Sequence, residues 1–136
     1  MIELINLRKF YLIYHYISRH ATNEILHAVN NSNCENINDF SLNLLDEVYS
    51  DELLALLSRQ KKLTKLSISV DVNRKFFQSL SLDNIVDLNI NFDEDAVYFS
   101  KELKNLKKLD CSIQNLSDEF INNLSAKCIN LIEIFY

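Results

Sequence analysis

A chain of 136 residues, 48% hydrophobic and 24% charged, has the length of one domain and an ordinary globular composition, which excludes a disordered segment and a membrane-embedded one. Its formal net charge of −5 offers no basic footprint for a phosphate backbone, so nucleic acid is not an expected partner. Gly and Pro are both absent, although average usage would place roughly sixteen of them here. Turns must therefore come from other residues, foremost Asn, which tolerates left-handed backbone better than other non-Gly residues.

The first stretch, "MIELINLRKFYLIYHYISRH", is apolar, yet Glu3, Arg8, Lys9 and His15 interrupt it before any run reaches the ~20 residues of a spanning helix. No targeting segment and no membrane partner are expected. Leu7, Phe10 and Leu12 form the first instance of a motif: an apolar residue, another three positions on, and another two further. Next comes a helix start signal, Thr22-Asn23-Glu24, with Ile25, Leu26 and Val29 at helical spacing behind it. A hydroxyl can accept from an orphan N–H of the first turn, and acidic residues suit the positive end of the helix dipole.

The motif returns as Ile37-Phe40-Leu42, followed by a second start signal, Ser50-Asp51-Glu52, and the apolar face Leu53, Leu54, Leu56 and Leu57. Leu63-Leu66-Ile68 and Ile85-Leu88-Ile90 are the third and fourth strands, with the short segments "NRKFFQSLS" and "DAVYFSKEL" as the helices that follow them. Leu106-Leu109-Cys111 is the fifth. The third start signal, Ser117-Asp118-Glu119, then opens a helix carrying Phe120, Ile121 and Leu124, before a sixth strand, Leu131-Ile134-Tyr136.

The middle members stand at positions 10, 40, 66, 88, 109 and 134, so the intervals are 30, 26, 22, 21 and 25 residues. Most lie in the 20 to 29 residue window of leucine-rich repeats. A doubly wound α/β sheet competes, but its βαβ units need about 30 residues or more. A lone rung buries too little apolar surface to offset the entropy of ordering it, so rungs must stack. The expected fold is α/β: residues 1–136 form a single leucine-rich repeat domain, a horseshoe solenoid of about six strand-helix repeats. A parallel sheet lines its concave face and helices its convex face.

Two strands carry a further signature, Cys34-Glu35-Asn36-Ile37-Asn38-Asp39-Phe40-Ser41-Leu42 and Cys128-Ile129-Asn130-Leu131-Ile132-Glu133-Ile134. These resemble the cysteine-containing class of leucine-rich repeat, in which a Cys three residues before the first strand Leu closes the preceding helix. Gln60, Leu82 and Leu103 occupy that place in other repeats. The class is similar to the substrate-receptor half of F-box proteins, the adaptors of cullin-type ubiquitin ligases. The resemblance implies a protein-binding role of that kind.

Side chains alternate along a strand, so residues between the apolar ones face the open side of the sheet. The first such column is Lys9, Asp39, Lys65, Asp87, Lys108 and Glu133, whose sign changes at every rung. Opposite charges on neighbouring strands can each contribute roughly 0.2–1 kcal/mol and fix register, so the column serves either as a lateral ion-pair network or as a charged recognition ladder. Mutual neutralisation favours the first. The second column is Tyr11, Ser41, Ser67, Asn89, Asp110 and Phe135, and the third contains Ile13, Asn43, Ser69, Asn91 and Ser112. The first two columns are the candidate partner-binding surface, with Tyr11 and Phe135 as aromatic anchors for a protein.

Catalytic and metal chemistry find no support. His15, His20 and His27 are spaced five and seven apart, not the i, i+4 of a zinc helix, and without Gly no phosphate-cradling loop can form. Asp93, Glu94 and Asp95 read as a solvated loop. Cys34, Cys111 and Cys128 are an odd set that suits a reducing compartment, cytoplasmic or nuclear, and all three read as buried thiols. The expectation is a non-catalytic protein-protein interaction module without cofactor or metal, with an enzyme-capping inhibitor or scaffold as the alternative and a small hydrolase as a remote third. The sixth strand would leave an open edge, which calls for further repeats of a longer solenoid or for an edge-strand dimer.

Overall fold

The apolar triplets lie side by side, as their spacing predicts. The computed structural model describes residues 4–13, 18–43, 50–72, 74–92, 102–112 and 117–135. In chain order its elements are β1 (Lys9–Ile13), α1 (Arg19–Asn30), β2 (Asp39–Asn43), α2 (Ser50–Ser58), β3 (Lys65–Val72), α3 (Arg74–Ser79), β4 (Asp87–Phe92), β5 (Lys108–Ser112), α4 (Asp118–Lys127) and β6 (Glu133–Phe135). The six strands form one parallel sheet in unbroken sequence order. The fold is thus α/β with a six-stranded parallel sheet.

The register follows the sequence columns. Phe10 pairs with Phe40, Phe40 with Leu66, Leu66 with Leu88, Leu88 with Leu109 and Leu109 with Ile134. A slip of one residue would turn every apolar side chain to the wrong face. On β2 to β5 these residues and their partners two positions on, such as Leu42, Ile68, Ile90 and Cys111, are no more than 1% exposed. They share one core cluster with Leu26, Val29, Leu53, Leu56, Leu57, Phe76, Phe120 and Leu124 from the four helices. One sheet face is therefore covered and the other bare.

Helix boundaries follow local hydrogen-bond accounting. α4 opens as expected: Ser117 accepts from the Phe120 N–H at 3.1 Å, with Asp118 and Glu119 in the first turn. α1 departs from expectation, since Ser18 rather than Thr22 is its N-cap and accepts from Ala21 at 3.2 Å. Thr22 lies a turn inside, buried, donating its hydroxyl to the Ser18 carbonyl. An earlier cap with a free hydroxyl satisfies the first-turn donors, and Thr22 is then absorbed into the core. The helix expected from "NRKFFQSLS" is the single short α3, and most of "DAVYFSKEL" lies outside the described residues.

The cysteines do not play identical parts. Cys128 closes α4, its N–H donating to Leu124 O at 2.8 Å. Cys34 does not close α1; Asn31 does, and the chain reaches Cys34 only after Asn33, whose φ of 55° is the left-handed conformation expected of Asn where Gly is lacking. The Arg59 guanidinium donates to the carbonyl and side-chain oxygens of Asn30, setting a cation against the negative end of α1.

Rungs are joined by two lateral devices beyond the strand ladder. The carbonyl just before each strand accepts two N–H groups from the next rung: Arg8 O takes those of Asn38 and Asp39, Asn38 O those of Thr64 and Lys65, Thr64 O those of Val86 and Asp87, Val86 O those of Lys107 and Lys108, and Lys107 O those of Ile132 and Glu133. An asparagine ladder runs beside it. Asn36 donates to Ile5 O at 3.0 Å, Asn84 to Lys61 O at 3.3 Å, Asn105 to Asp83 O at 2.8 Å and Asn130 to Lys104 O at 2.6 Å. Each amide reaches the carbonyl that precedes the equivalent position of the rung before it. The third rung has Lys62 there. Buried Gln60 makes a different bridge, accepting from Ile37 N at 2.9 Å and donating to Cys34 O at 2.8 Å and Leu56 O at 3.1 Å.

The break at Lys62 generates a gain-of-stability prediction. Lys62→Asn should complete the ladder by donating to Glu35 O and stabilise the chain by about 0.5–1.5 kcal/mol, while Asn105→Ala should destabilise it by about the same amount. Urea unfolding midpoints at unchanged slope measure both; a neutral or destabilising Lys62→Asn would contradict the ladder's energetic role.

Candidate functional site

Strand pleating divides the sheet residues between two environments, and the bare face carries the two columns read from the sequence. Along the first, Lys9 pairs with Asp39, Asp39 with Lys65, Lys65 with Asp87, Asp87 with Lys108 and Lys108 with Glu133. Along the second, Tyr11 pairs with Ser41, Ser41 with Ser67, Ser67 with Asn89, Asn89 with Asp110 and Asp110 with Phe135. Ile13 with Asn43 and Asn91 with Ser112 continue the third, and Ser69 donates to Asn43 Oδ1 at 2.8 Å.

Ten residues line an open trough of about 320 Å³ across this face: Tyr11, Asp39, Ser41, Lys65, Leu66, Ser67, Asp87, Asn89, Lys108 and Asp110. Nine belong to the two columns, and Leu66 is the floor between them. Lys9, Glu133 and Phe135 sit outside the trough on the two outer strands. The middle of the site is half-buried, while Lys9, Tyr11, Lys65, Glu133 and Phe135 are exposed.

The expected lateral ion-pair network is not formed. The charges alternate, but none of the salt bridges among the described residues joins two members of the column. An exposed Lys–Asp pair gains only about 0–1 kcal/mol and must immobilise a long side chain to do so. Other contacts win at both ends. The Tyr11 hydroxyl donates to Asp39 Oδ2 at 2.5 Å, and the Lys108 ammonium lies 5.4 Å from the centre of the Phe135 ring, within cation–π reach. The face therefore retains hydrogen-bonding and charged groups not spent on each other.

Asp39 holds the Tyr11 phenol above its ordinary pKa, first by its hydrogen bond, then by desolvation and by the carboxylate's negative charge. Burial raises all three thiols, Cys111 and Cys128 to about 11. They stay protonated near neutrality and pack as small apolar groups. Among the described residues, no group of three His, Cys, Asp or Glu side chains could hold a metal ion. No helix among them is long and apolar enough to cross a membrane. His15 and the Asp93 to Asp95 loop lie outside the described residues.

One cluster escaped the sequence reading. His27 Nδ1 stands 2.8 Å from Glu52 Oε1, Asn30 donates to Glu52 Oε2 at 3.2 Å, and Asn31 Nδ2 meets His27 Nε2 at 2.9 Å. These bonds, His27's first, lower the Glu52 pKa and tie α1 to α2 on the covered side of the sheet. Its partners are 25 residues apart, so no local spacing announces it.

No family model matches the chain, and no curated protein or solved structure matches it either.

The Tyr11–Asp39 bond can be read by titration. Because the folded phenol's pKa is raised, the bond's contribution is fully present below the ordinary tyrosine value of 10.0 and is lost as pH rises through the folded value. Asp39→Asn should bring the Tyr11 titration, followed by NMR of its ring carbons, down toward that ordinary value; an unshifted titration would show that Asp39 does not hold the phenol.

Proposed function

We propose that this chain is a leucine-rich repeat horseshoe acting as a non-catalytic recognition module, and that it binds a protein partner across the bare face of its sheet. The observation that carries the proposal is the unspent polar face. Six parallel strands in sequence order cover one side with helices and leave on the other a trough lined by the Lys/Asp column and the Tyr11-to-Asp110 column. Polar groups set at strand spacing on a rigid, packed layer are preorganised, which lowers the entropy cost of binding. Two lysines and three aspartates line the trough, a mixed pattern that discriminates by complementarity of charge position more than by net charge.

The partner class follows from the cysteine-containing repeats. Cys34 to Leu42 and Cys128 to Ile134 resemble those of F-box substrate receptors, so the best-supported role is the substrate-recognition part of a ubiquitin-ligase adaptor, working in cytoplasm or nucleus without a cofactor. The buried, protonated thiols suit such a reading, since they serve packing.

Affinity capture with the intact chain beside a Ser67→Arg/Asn89→Arg variant tests this. Two arginines at the centre of the trough should abolish retention of a bare-face partner, whereas Glu24→Arg, on exposed helix surface, should leave it unchanged. Equal capture by all three proteins would contradict recognition through this face.

A further inference from the structure

Strands β2 to β5 each have a neighbour on both sides, and their bare face carries one charge per strand in the order Asp39, Lys65, Asp87, Lys108. The turn before each of these strands repeats that order of sign four residues earlier, with Glu35, Lys61, Asp83 and Lys104 all exposed. Each rung therefore has one sign at both places, and the sign changes at the next rung. Among the described residues, no salt bridge joins either set of charges from rung to rung, so the alternation does not serve the stack as an ion-pair ladder. Beside Asp39, Lys65 and Asp87 the trough is lined by the short side chains Ser41, Ser67 and Asn89, which leaves room above the sheet for a bulky element.

We propose that the partner of this face, on the recognition role proposed above, presents an α-helix that lies along the stack across β2 to β5, with basic and acidic residues alternating at its positions i, i+3, i+7 and i+10. Rung spacing selects this occupant. Adjacent strands lie about 4.8 Å apart, so the four charges stand at about 0, 4.8, 9.6 and 14.4 Å along the stack. Helix positions i, i+3, i+7 and i+10 share a face and, at about 1.5 Å per residue, stand at about 0, 4.5, 10.5 and 15 Å. They stay within about 1 Å of every rung. An extended chain presents same-face residues about every 6.6 Å and is about 5 Å out of step by the fourth rung. A helix about 10–12 Å across also spans both columns, which are two residues, or about 6.6 Å, apart along the strands. The complementary order is basic, acidic, basic, acidic, opposite Asp39, Lys65, Asp87 and Lys108. Opposite charges at i and i+3 or i+4 support the free helix as well, so the occupant arrives preorganised.

Two alanine-based helical peptides of equal composition test this, titrated at low salt against the amide NMR signals of β2 to β5. One carries Lys, Glu, Lys, Glu at i, i+3, i+7 and i+10, and the other carries Lys, Lys, Glu, Glu at the same places. The wild-type chain should bind the alternating helix several-fold more tightly. Lys65→Glu/Asp87→Lys leaves a column of two acidic then two basic residues and should reverse the preference, because complementarity of charge position sets the choice. The milder Lys65→Gln/Asp87→Asn should abolish the preference without altering the circular dichroism spectrum. Equal binding of both helices by wild type, no reversal in the charge-swapped variant, or tighter binding of an extended peptide with Lys and Glu alternating at every second residue would overturn the helical occupant. If wild type shifts with neither helix while Ser67→Arg/Asn89→Arg still loses the captured partner, the helical occupant fails and recognition through this face stands.

Discussion

Everything in this fold depends on one apolar row, Phe10, Phe40, Leu66, Leu88, Leu109 and Ile134, running across six parallel strands. Each member is the direct neighbour of the next, and the four central ones are buried against the helices. No single rung could hold this arrangement, because its apolar face is left open until a neighbour covers it. The row therefore sets the register, and the register brings together on the bare face residues that are 21 to 30 positions apart in the chain.

Absence of glycine and proline gives the backbone chemistry a particular form. Where a tight turn would ordinarily use Gly, Asn33 takes the left-handed conformation. Where the turn before a strand must be held to its neighbour, an Asn side chain donates to the carbonyl at the equivalent place before the preceding strand. Gln60 does related work from a buried position, joining the second and third rungs through three bonds. Such directional amides add geometric specificity to apolar packing that by itself is non-directional. They also give the stack a polarity, with donors facing one end and acceptors the other.

Periodicity made most of the sheet legible in the sequence. The apolar triplets predict both the strands and their pairing, because period-two alternation and a near-constant interval leave few registers that bury every triplet. The start of α4 at Ser117 was equally legible from its cap and acidic first turn. α1 was not, because Ser18 and Thr22 are both competent caps and only burial of Thr22 decides between them. Cys34 resembles Cys128 in sequence, yet it follows a longer helix end and so cannot close it. The charged column forms no ion pairs among the described residues: a Lys–Asp pair open to water gains little, and Asp39 and Lys108 are engaged instead by the Tyr11 hydroxyl and the Phe135 ring. The asparagine ladder was visible all along, as Asn at 6, 36, 84, 105 and 130, always one place before the first apolar residue of a triplet.

The claim that apolar triplets stand as parallel neighbours is tested most directly by NMR, through interstrand nuclear Overhauser contacts in a chain labelled at Phe40, Leu66, Leu88 and Leu109. In-register parallel strands require contacts between the backbone protons around Phe40 and Leu66, Leu66 and Leu88, and Leu88 and Leu109, all at the same offset. Helical contacts at these residues, or close Hα–Hα pairs of antiparallel strands, would contradict the stack and with it the surface built upon it.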